Sequence, residues 1–173
     1  MIDPTHKRIA GMHVTETGDI AVVWMALDTD SDHAHIYDAC VFSYGEPLPV
    51  IVDSILNRGR WIPLAWAHEE IAEKLREKGV KTLHDKTSDS DEMAEVVSRD
   101  IWDRANSRRI SYEKRLQNWA NELKTLERSK GKIPKDSHPL MAATRMALQN
   151  LKRAKRSQPK HLRRKSTRVV AIV

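Results

Sequence analysis

Residues 8–28 read RIAGMHVTETGDIAVVWMALD, and this stretch decides the fold. Two apolar runs, 8–16 and 19–28, flank Thr17-Gly18, where glycine permits the backbone angles of a tight turn. A third apolar run, 33–44, follows the polar loop DTDSD. The three runs together predict an antiparallel three-stranded meander.

The chain then alternates between helical and strand spacing. Residues 49–58 have apolar residues at helical intervals, and RWIPLAW at 60–66 predicts a short strand. The segment AHEEIAEKLREKGV at 67–80 predicts an amphipathic helix that ends at Gly79, and 80–83 predicts another strand. Because a strand, a helix and a strand in this order form a parallel crossover, we expect an α/β fold, with a mixed sheet and helices packed on its faces.

Further elements complete a predicted domain over residues 1–151. Helices are predicted over 89–106 and 113–124, with a brief strand at RRIS between them and a small hairpin at LERSKGKIPK. The last helix is predicted to begin near Ser137, with Pro139 in its first turn.

Basic residues are concentrated near the C-terminus. Residues 152–168 contain nine Lys or Arg and no acid, so the net charge of +6 falls to −3 when these nine are left out. A segment this charged is predicted to be disordered by itself, which gives a basic tail over 152–173. The basic character therefore belongs to the tail and not to the whole domain.

Composition argues against several classes of protein. The single cysteine, Cys40, allows no intrachain disulfide and argues against a cysteine-based zinc site. No apolar run approaches the roughly 20 residues that cross a bilayer, and the N-terminus lacks the apolar stretch of a signal peptide, so we expect a soluble intracellular protein. The phosphate-binding loop motif of ATPases does not occur, which argues against an ATP-driven motor in this chain.

Polar residues stand at the predicted strand ends in three separate parts of the chain. His13 ends the first strand, His68 and Glu69 follow the strand WIPLAW, and Asp136 and His138 stand at the start of the last helix. In an α/β sheet, polar groups at the ends of neighbouring strands converge in one crevice. Such a crevice would suit divalent metal ions that catalyse phosphodiester hydrolysis.

Three motifs and the order of elements resemble the C-terminal nuclease domains of large terminase subunits from tailed bacteriophages. The motifs are RIAGMHVTETGDIAVVWMALD, RWIPLAWAHEE and KDSHPLMAATRMAL, and the similarity spans residues 8–151. The resemblance implies a ribonuclease-H-like fold and a metal-dependent endonuclease, a hydrolase that cuts concatemeric DNA during packaging. The cofactor that it implies is Mg²⁺ or Mn²⁺.

The resemblance places three family aspartates on residues that are not aspartate. Carried over by position, they fall on His13, Glu69 and His138, and Pro139 stands in place of a further acid. A single carboxylate therefore remains. The positions that match the family pattern are Gly11, Trp66, His68, Ala143, Thr144 and Arg145, whereas Ala67 and Glu70 depart from it.

The predicted catalytic residues are His13, Glu69 and His138, and these three together with Asp136 are the predicted metal ligands. Mg²⁺ prefers oxygen ligands in octahedral geometry, whereas imidazole suits Mn²⁺, Zn²⁺ or Fe²⁺. Two histidines and one glutamate are therefore more compatible with Mn²⁺ or Zn²⁺ than with a pair of Mg²⁺ ions. We expect Mg²⁺-dependent cleavage to be weak or absent, which leaves open whether the chain is an enzyme.

Each of these residues also has an ordinary structural interpretation. A histidine at a strand end is commonly a half-buried polar residue, acids at 69 and 70 stabilise a helix N-terminus, and Asp136 or Ser137 serves as a helix cap. Arg145 lies among apolar helix residues, where it contacts DNA phosphate or pairs with an acid at the edge of the core; the structural interpretation is favoured. The five tryptophans are interpreted as core or core-rim residues.

Duplex DNA is the predicted partner, and no membrane partner is expected. The resemblance further implies the phage portal and the small terminase subunit as partners, and the cytoplasm of a bacterial host as the location. Because the family joins this domain to an ATPase, the chain is expected to be an excised domain or a stand-alone remnant. The predicted nucleic-acid contacts are Arg145, Lys152, Arg153, Lys155, Arg156, Arg163, Arg164 and Lys165.

Two alternatives stay open. One is a catalytically silent module of the same fold, which docks on DNA or the portal through its basic tail. The other is a structural DNA-binding protein unrelated to nucleases, which would lack a crevice at the strand ends.

Overall fold

Three antiparallel strands form the centre of a six-stranded sheet in the computed structural model, which describes residues 2–66, 68–84, 91–126 and 137–157, with the backbone alone for 91–94. Their order across the sheet is β5-β4-β1-β2-β3-β6. The strands are β1 (Lys7–Val14), β2 (Ile20–Asp28), β3 (His33–Phe42), β4 (Leu64–Trp66), β5 (Thr82–His84) and β6 (Ile110–Tyr112).

The sheet is mixed, as the sequence predicts. β2 pairs antiparallel with β1 and β3, which confirms the meander. β4 is parallel to β1, β5 is parallel to β4, and β6 is parallel to β3 at the far edge. The hairpin predicted at LERSKGKIPK lies outside the described residues, apart from Leu126.

Helices cover both faces of this sheet and create two apolar cores. Alternation along β2 sends Val23 and Met25 into one core and Val22 and Trp24 into the other, and all four are fully buried. A central strand that is apolar on both faces requires a layer on each, so the fold has three layers. The first core is covered by the three later helices and the second by the two earlier ones. The helices are α1 (Leu48–Asn57), α2 (Glu69–Glu77), α3 (Asp91–Asn106), α4 (Gln117–Thr125) and α5 (Pro139–Gln149).

Helix α5 lies directly on β1 because glycine occupies the crossing point. A Cβ atom on Gly11 would stand 2.0 Å from the carbonyl oxygen of Ala143 and 2.7 Å from the amide nitrogen of Ala147. These are backbone atoms, so a side chain at residue 11 could be accommodated only by moving the helix. Gly11 thus fixes the distance between the helix and the sheet.

The chain stays in contact with the domain after residue 151. A 3-10 turn over Leu151–Arg153 leads to Ala154, which is buried in the core below α5. The backbone of Lys155 then forms two hydrogen bonds with that of Arg8 at the start of β1, of 2.6 and 3.0 Å. The first residues of the predicted basic tail therefore pack against the domain, while those from 158 onward lie outside the described part of the chain.

Among the residues that the structure describes, no helix combines the length and apolar character that a membrane crossing requires.

Candidate functional site at the strand ends

The carboxyl ends of three parallel strands lie at one edge of the sheet. Gly11 of β1 is aligned with the middle of β4, and Trp66, which ends β4, is aligned with His84, which ends β5. His13 lies two residues beyond Gly11 in this direction, and α2 begins at Glu69 shortly after β4 ends. The strand register therefore brings His13 and Glu69 to the same edge, as the strand order predicts.

The amino end of α5 comes to this edge as well. Gly11 contacts Ala143 in the middle of α5, and Arg8 near the start of β1 pairs with Lys155, which follows the end of α5. Helix α5 therefore runs antiparallel to β1, and its first turn lies on the His13 side of Gly11. His138, the residue that precedes the helix, is at this end.

The three positions of the family aspartates, His13, Glu69 and His138, thus share one edge of the sheet. Asp136, the fourth predicted ligand, lies outside the described residues. Within 2–66, 68–84, 91–126 and 137–157, no three His, Cys, Asp or Glu residues are grouped closely enough to hold a metal ion. Joint coordination of a metal by these side chains stays a prediction.

The two acids at the start of α2 differ in their surroundings. Glu70 accepts a hydrogen bond of 2.8 Å from Lys74 one turn later, and this bond and the lysine charge lower the pKa of Glu70. Glu69 is exposed and occupies the first helical position after His68, whose side chain makes no capping bond. Both acids also favour the helix N-terminus electrostatically. Glu69 is the carboxylate at a position on which the resemblance places a family aspartate.

An aromatic pair that the sequence does not reveal stands at the same edge. The rings of Trp66 and His84 are stacked with centroids 4.7 Å apart and planes inclined by 25°. Trp66 is fully buried, which confirms its interpretation as a core residue, whereas His84 is exposed. His84 has no metal-ligand spacing along the chain, and only the parallel pairing of β4 and β5 brings it to Trp66.

Around the start of α5, a carboxylate from another helix caps a backbone amide. Glu122 of α4 accepts a hydrogen bond of 2.9 Å from the amide of Met141. His138 takes the N-cap position without a side-chain capping bond, and its ring nitrogens contact Thr125 at 3.1 Å and Ser137 at 2.9 Å. The N-cap position thus falls on His138 and not on Ser137, while Asp136, the other residue predicted as a cap, lies outside the described residues.

Glu122 is expected to make stability depend on pH. Burial raises its pKa from 4.5 to about 7, and the amides of Met141 and Leu140 oppose this only in part. A raised folded-state pKa means that this contribution is fully present below the unfolded value near 4.5 and is lost as the pH rises through about 7. For Glu122→Gln, whose amide oxygen keeps the capping bond without a charge, we expect stability relative to the wild type to increase by about 1.5 kcal/mol between about pH 4 and about pH 8.

Urea unfolding of both proteins at the two pH values measures this change, because other titrating groups cancel in the difference. A difference between the two proteins that is the same at both pH values would contradict the expected ionisation of Glu122.

Several residues that match the family pattern have structural roles here. Gly11 and Ala143 allow the close contact of β1 with α5. Thr144 Oγ1 accepts a hydrogen bond of 2.9 Å from Trp119 Nε1 and donates one of 2.7 Å to the carbonyl of Leu140. Arg145 is fully buried, so its side chain presents no surface to DNA in this structure, and the structural interpretation of this residue is supported over a phosphate contact.

Comparison with solved structures decides the fold. The chain superposes on the nuclease domain of the P22 large terminase with a TM-score of 0.72 over 90% of this chain and 87% of that one, at 16% sequence identity. The chain has the fold of terminase nuclease domains. No protein-family model and no curated protein matches the sequence.

Two further terminase nuclease domains have the same fold. That of bacteriophage SPP1, with bound Mn, gives a TM-score of 0.60 at 17% identity and covers 84% of this chain and 87% of its own. The nuclease domain of the thermophilic phage G20c, with bound zinc, gives a TM-score of 0.61 at 15% identity, and the match covers 85% of this chain and 82% of that one. The mixed sheet with flanking helices that the resemblance implies is therefore confirmed as the ribonuclease-H-like terminase nuclease fold.

Proposed function

We propose that the chain acts on concatemeric duplex DNA as a nuclease-type domain of a phage packaging terminase, with Mg²⁺-dependent cleavage that is weak or lost. The terminase nuclease fold supports the assignment of the domain. The observation that carries the proposal about cleavage is the composition of the strand-end edge. Where the family places three aspartates, this edge carries His13, Glu69 and His138.

The residues at this edge do not fit a pair of Mg²⁺ ions. A site with one carboxylate carries one negative charge, whereas a site with three carboxylates carries three. Mg²⁺ also requires oxygen ligands in an octahedral arrangement. Two imidazoles with one carboxylate fit a single Mn²⁺ or Zn²⁺ ion better. Bound Mn in the SPP1 domain and bound zinc in the G20c domain support a divalent ion of this kind as the cofactor proposed for this chain.

Nicking of supercoiled plasmid tests the proposal. We expect conversion to the open circle to be no faster in Mg²⁺ than in a chelator, because the donor set attracts Mg²⁺ weakly. We expect slow conversion in Mn²⁺, and we expect Glu69→Ala to remove it by deleting the remaining carboxylate.

Glu73→Ala is the matched control, since Glu73 is another exposed acid on α2, one turn further along the helix. Rapid nicking in Mg²⁺ that is abolished by Glu69→Ala would defeat the proposal of weakened cleavage.

Docking without cleavage is the second candidate function, and the start of the basic tail favours it. Lys152, Arg153, Lys155 and Arg156 are exposed on the part of the tail that packs against the domain. The proposed partners are duplex DNA, the phage portal and the small terminase subunit, in the cytoplasm of the bacterial host. A protein that binds duplex DNA and does not nick it, whichever divalent ion is added, would have this docking function.

A further inference from the structure

A cleft of about 780 Å³ lies at the edge of the sheet opposite the candidate site. It is formed where β4 and β5 begin, since Pro63 precedes β4 and Val80 and Lys81 precede β5. We call it the basic cleft and define it by six of its lining residues, which are Trp61, Arg76, Lys81, Thr82, Lys155 and Arg156.

Positive charge dominates the basic cleft. Arg76, Lys81, Lys155 and Arg156 are all exposed, and none of the described residues that line the cleft is Asp or Glu. Arg76 is held in place by a neutral partner, because its Nε donates a hydrogen bond of 3.1 Å to Thr82 Oγ1. Four cations around one depression repel one another, and an anion in the cleft would relieve that repulsion.

The fold holds these cations in fixed positions. Helix α2 ends beside Gly79, whose φ of +89° turns the chain from Arg76 into Lys81 and β5. Lys155 and Arg156 belong to the basic tail, and the two backbone hydrogen bonds between Lys155 and Arg8 hold this part of the tail against the sheet. The indole of Trp61 forms one wall, with the Arg8 guanidinium 5.5 Å from its ring centroid.

We propose that the basic cleft binds the phosphodiester backbone of duplex DNA, at a site separate from the strand-end edge. The choice of DNA as the polyanion rests on the proposed function, while the cleft itself is defined by charge and position alone. Arg8, which pairs with Lys155 of the basic cleft, and His13 of the candidate site are five residues apart on β1. At about 3.3 Å per residue, the cleft and the candidate site are therefore about 17 Å apart along the strand. Contacts to phosphate carry no sequence information, so binding here is independent of sequence.

Fluorescence anisotropy with the full chain and a labelled duplex of about 20 base pairs, titrated at several salt concentrations, tests this site. The variant Lys81→Ala with Arg156→Ala removes one cation from each side of the cleft. We expect it to lose about tenfold in affinity and to reduce the slope of log K against log salt by about 1.8, because each phosphate contact contributes about 0.9.

The matched control is Arg99→Ala with Lys114→Ala, which removes the same charge from exposed positions outside the cleft. We expect the control to keep most of the affinity, and we expect Lys81→Arg with Arg156→Lys to bind like the wild type. Urea unfolding of each variant separates loss of binding from loss of folding.

Unchanged affinity and slope in the cleft variant, or an equal loss in the control, would overturn the proposal. A second contradicting result would be an oligoglutamate of equal charge that binds the wild type more tightly than DNA does and binds the cleft variant less tightly. The occupant of the cleft would then be an acidic protein segment. Rapid Mg²⁺-dependent nicking by the wild type would overturn the proposal of weakened cleavage and would not affect the proposal that the basic cleft binds DNA. A wild type that binds no duplex would overturn the cleft proposal together with the proposed action on duplex DNA.

Discussion

Replacing Gly11 with alanine is expected to lower the free energy of unfolding by about 3 kcal/mol or more. The new methyl group would stand 2.0 Å from the carbonyl oxygen of Ala143 and 2.7 Å from the amide of Ala147, both in the backbone of α5. A flexible side chain could turn away from such a contact, but a helix backbone can relieve it only by shifting as a whole. That shift would open the core below α5, in which Met141 and Leu148 are buried.

Gly45→Ala provides the comparison for this prediction. A Cβ at Gly45 meets no atom within 4 Å, but the residue has a φ of +90°, so alanine would cost about 1 kcal/mol through backbone strain alone. Urea unfolding of both variants measures the two losses. Equal losses would contradict close helix packing as the reason for glycine at residue 11.

Thr144→Val is expected to destabilise the domain by about 2 to 3 kcal/mol. Thr144 and Trp119 are both fully buried, and the threonine hydroxyl is the acceptor for the indole N–H. Valine has a similar volume but no oxygen, so the indole N–H would lose its hydrogen bond inside the core. The link between α4 and α5 would weaken at the same time.

Thr144→Ser separates the hydrogen bond from the methyl group. Serine keeps the hydroxyl and loses one methyl, so we expect a loss of about 1 kcal/mol, smaller than that of valine. Both losses are measured by urea unfolding, and fluorescence reports the surroundings of the indole. A valine variant as stable as the serine variant would show that the bond between Trp119 and Thr144 contributes little.

The sheet could be predicted because its signals are local. The two apolar runs around Gly18 predict strands at 8–16 and 19–28, and the structure has Lys7–Val14 and Ile20–Asp28. Gly79 correctly ends α2, and RRIS correctly predicts β6. The parallel pairing of β4 with β5 follows from the order of strand, helix and strand, while the particular ribonuclease-H-like arrangement came from the resemblance to terminases.

Other features depend on packing that no local pattern encodes. Glu122 is one acid among several polar residues on α4, and its role arises because α4 packs beside the amino end of α5. His84 becomes notable only when β5 pairs with β4. Ala154 is a single apolar residue among Lys and Arg, too weak a signal to predict that the start of the basic tail packs on the domain.

For the candidate site itself, the sequence predicts where the residues lie in the fold better than it predicts whether they bind a metal together. Strand order places His13 and Glu69 at the same ends of neighbouring strands, and the observed register agrees, while the direction of α5 brings His138 to this side. Whether these side chains share a metal depends on side-chain geometry, to which residue types along the chain are a poor guide. Replacement of two expected acids by histidine makes this the point on which the nicking experiment bears most directly.

The pairing of Lys155 with Arg8 brings the first strand and the end of the last helical segment together at one side of the molecule. A tag, a fluorophore or a neighbouring domain attached at the exposed side chain of Lys155 would therefore lie on that side. His13 and Glu69 lie at the opposite ends of the strands, so such attachments would leave the strand-end surface unobstructed. One attachment point can thus hold the domain beside the basic cleft while the strand-end surface stays accessible.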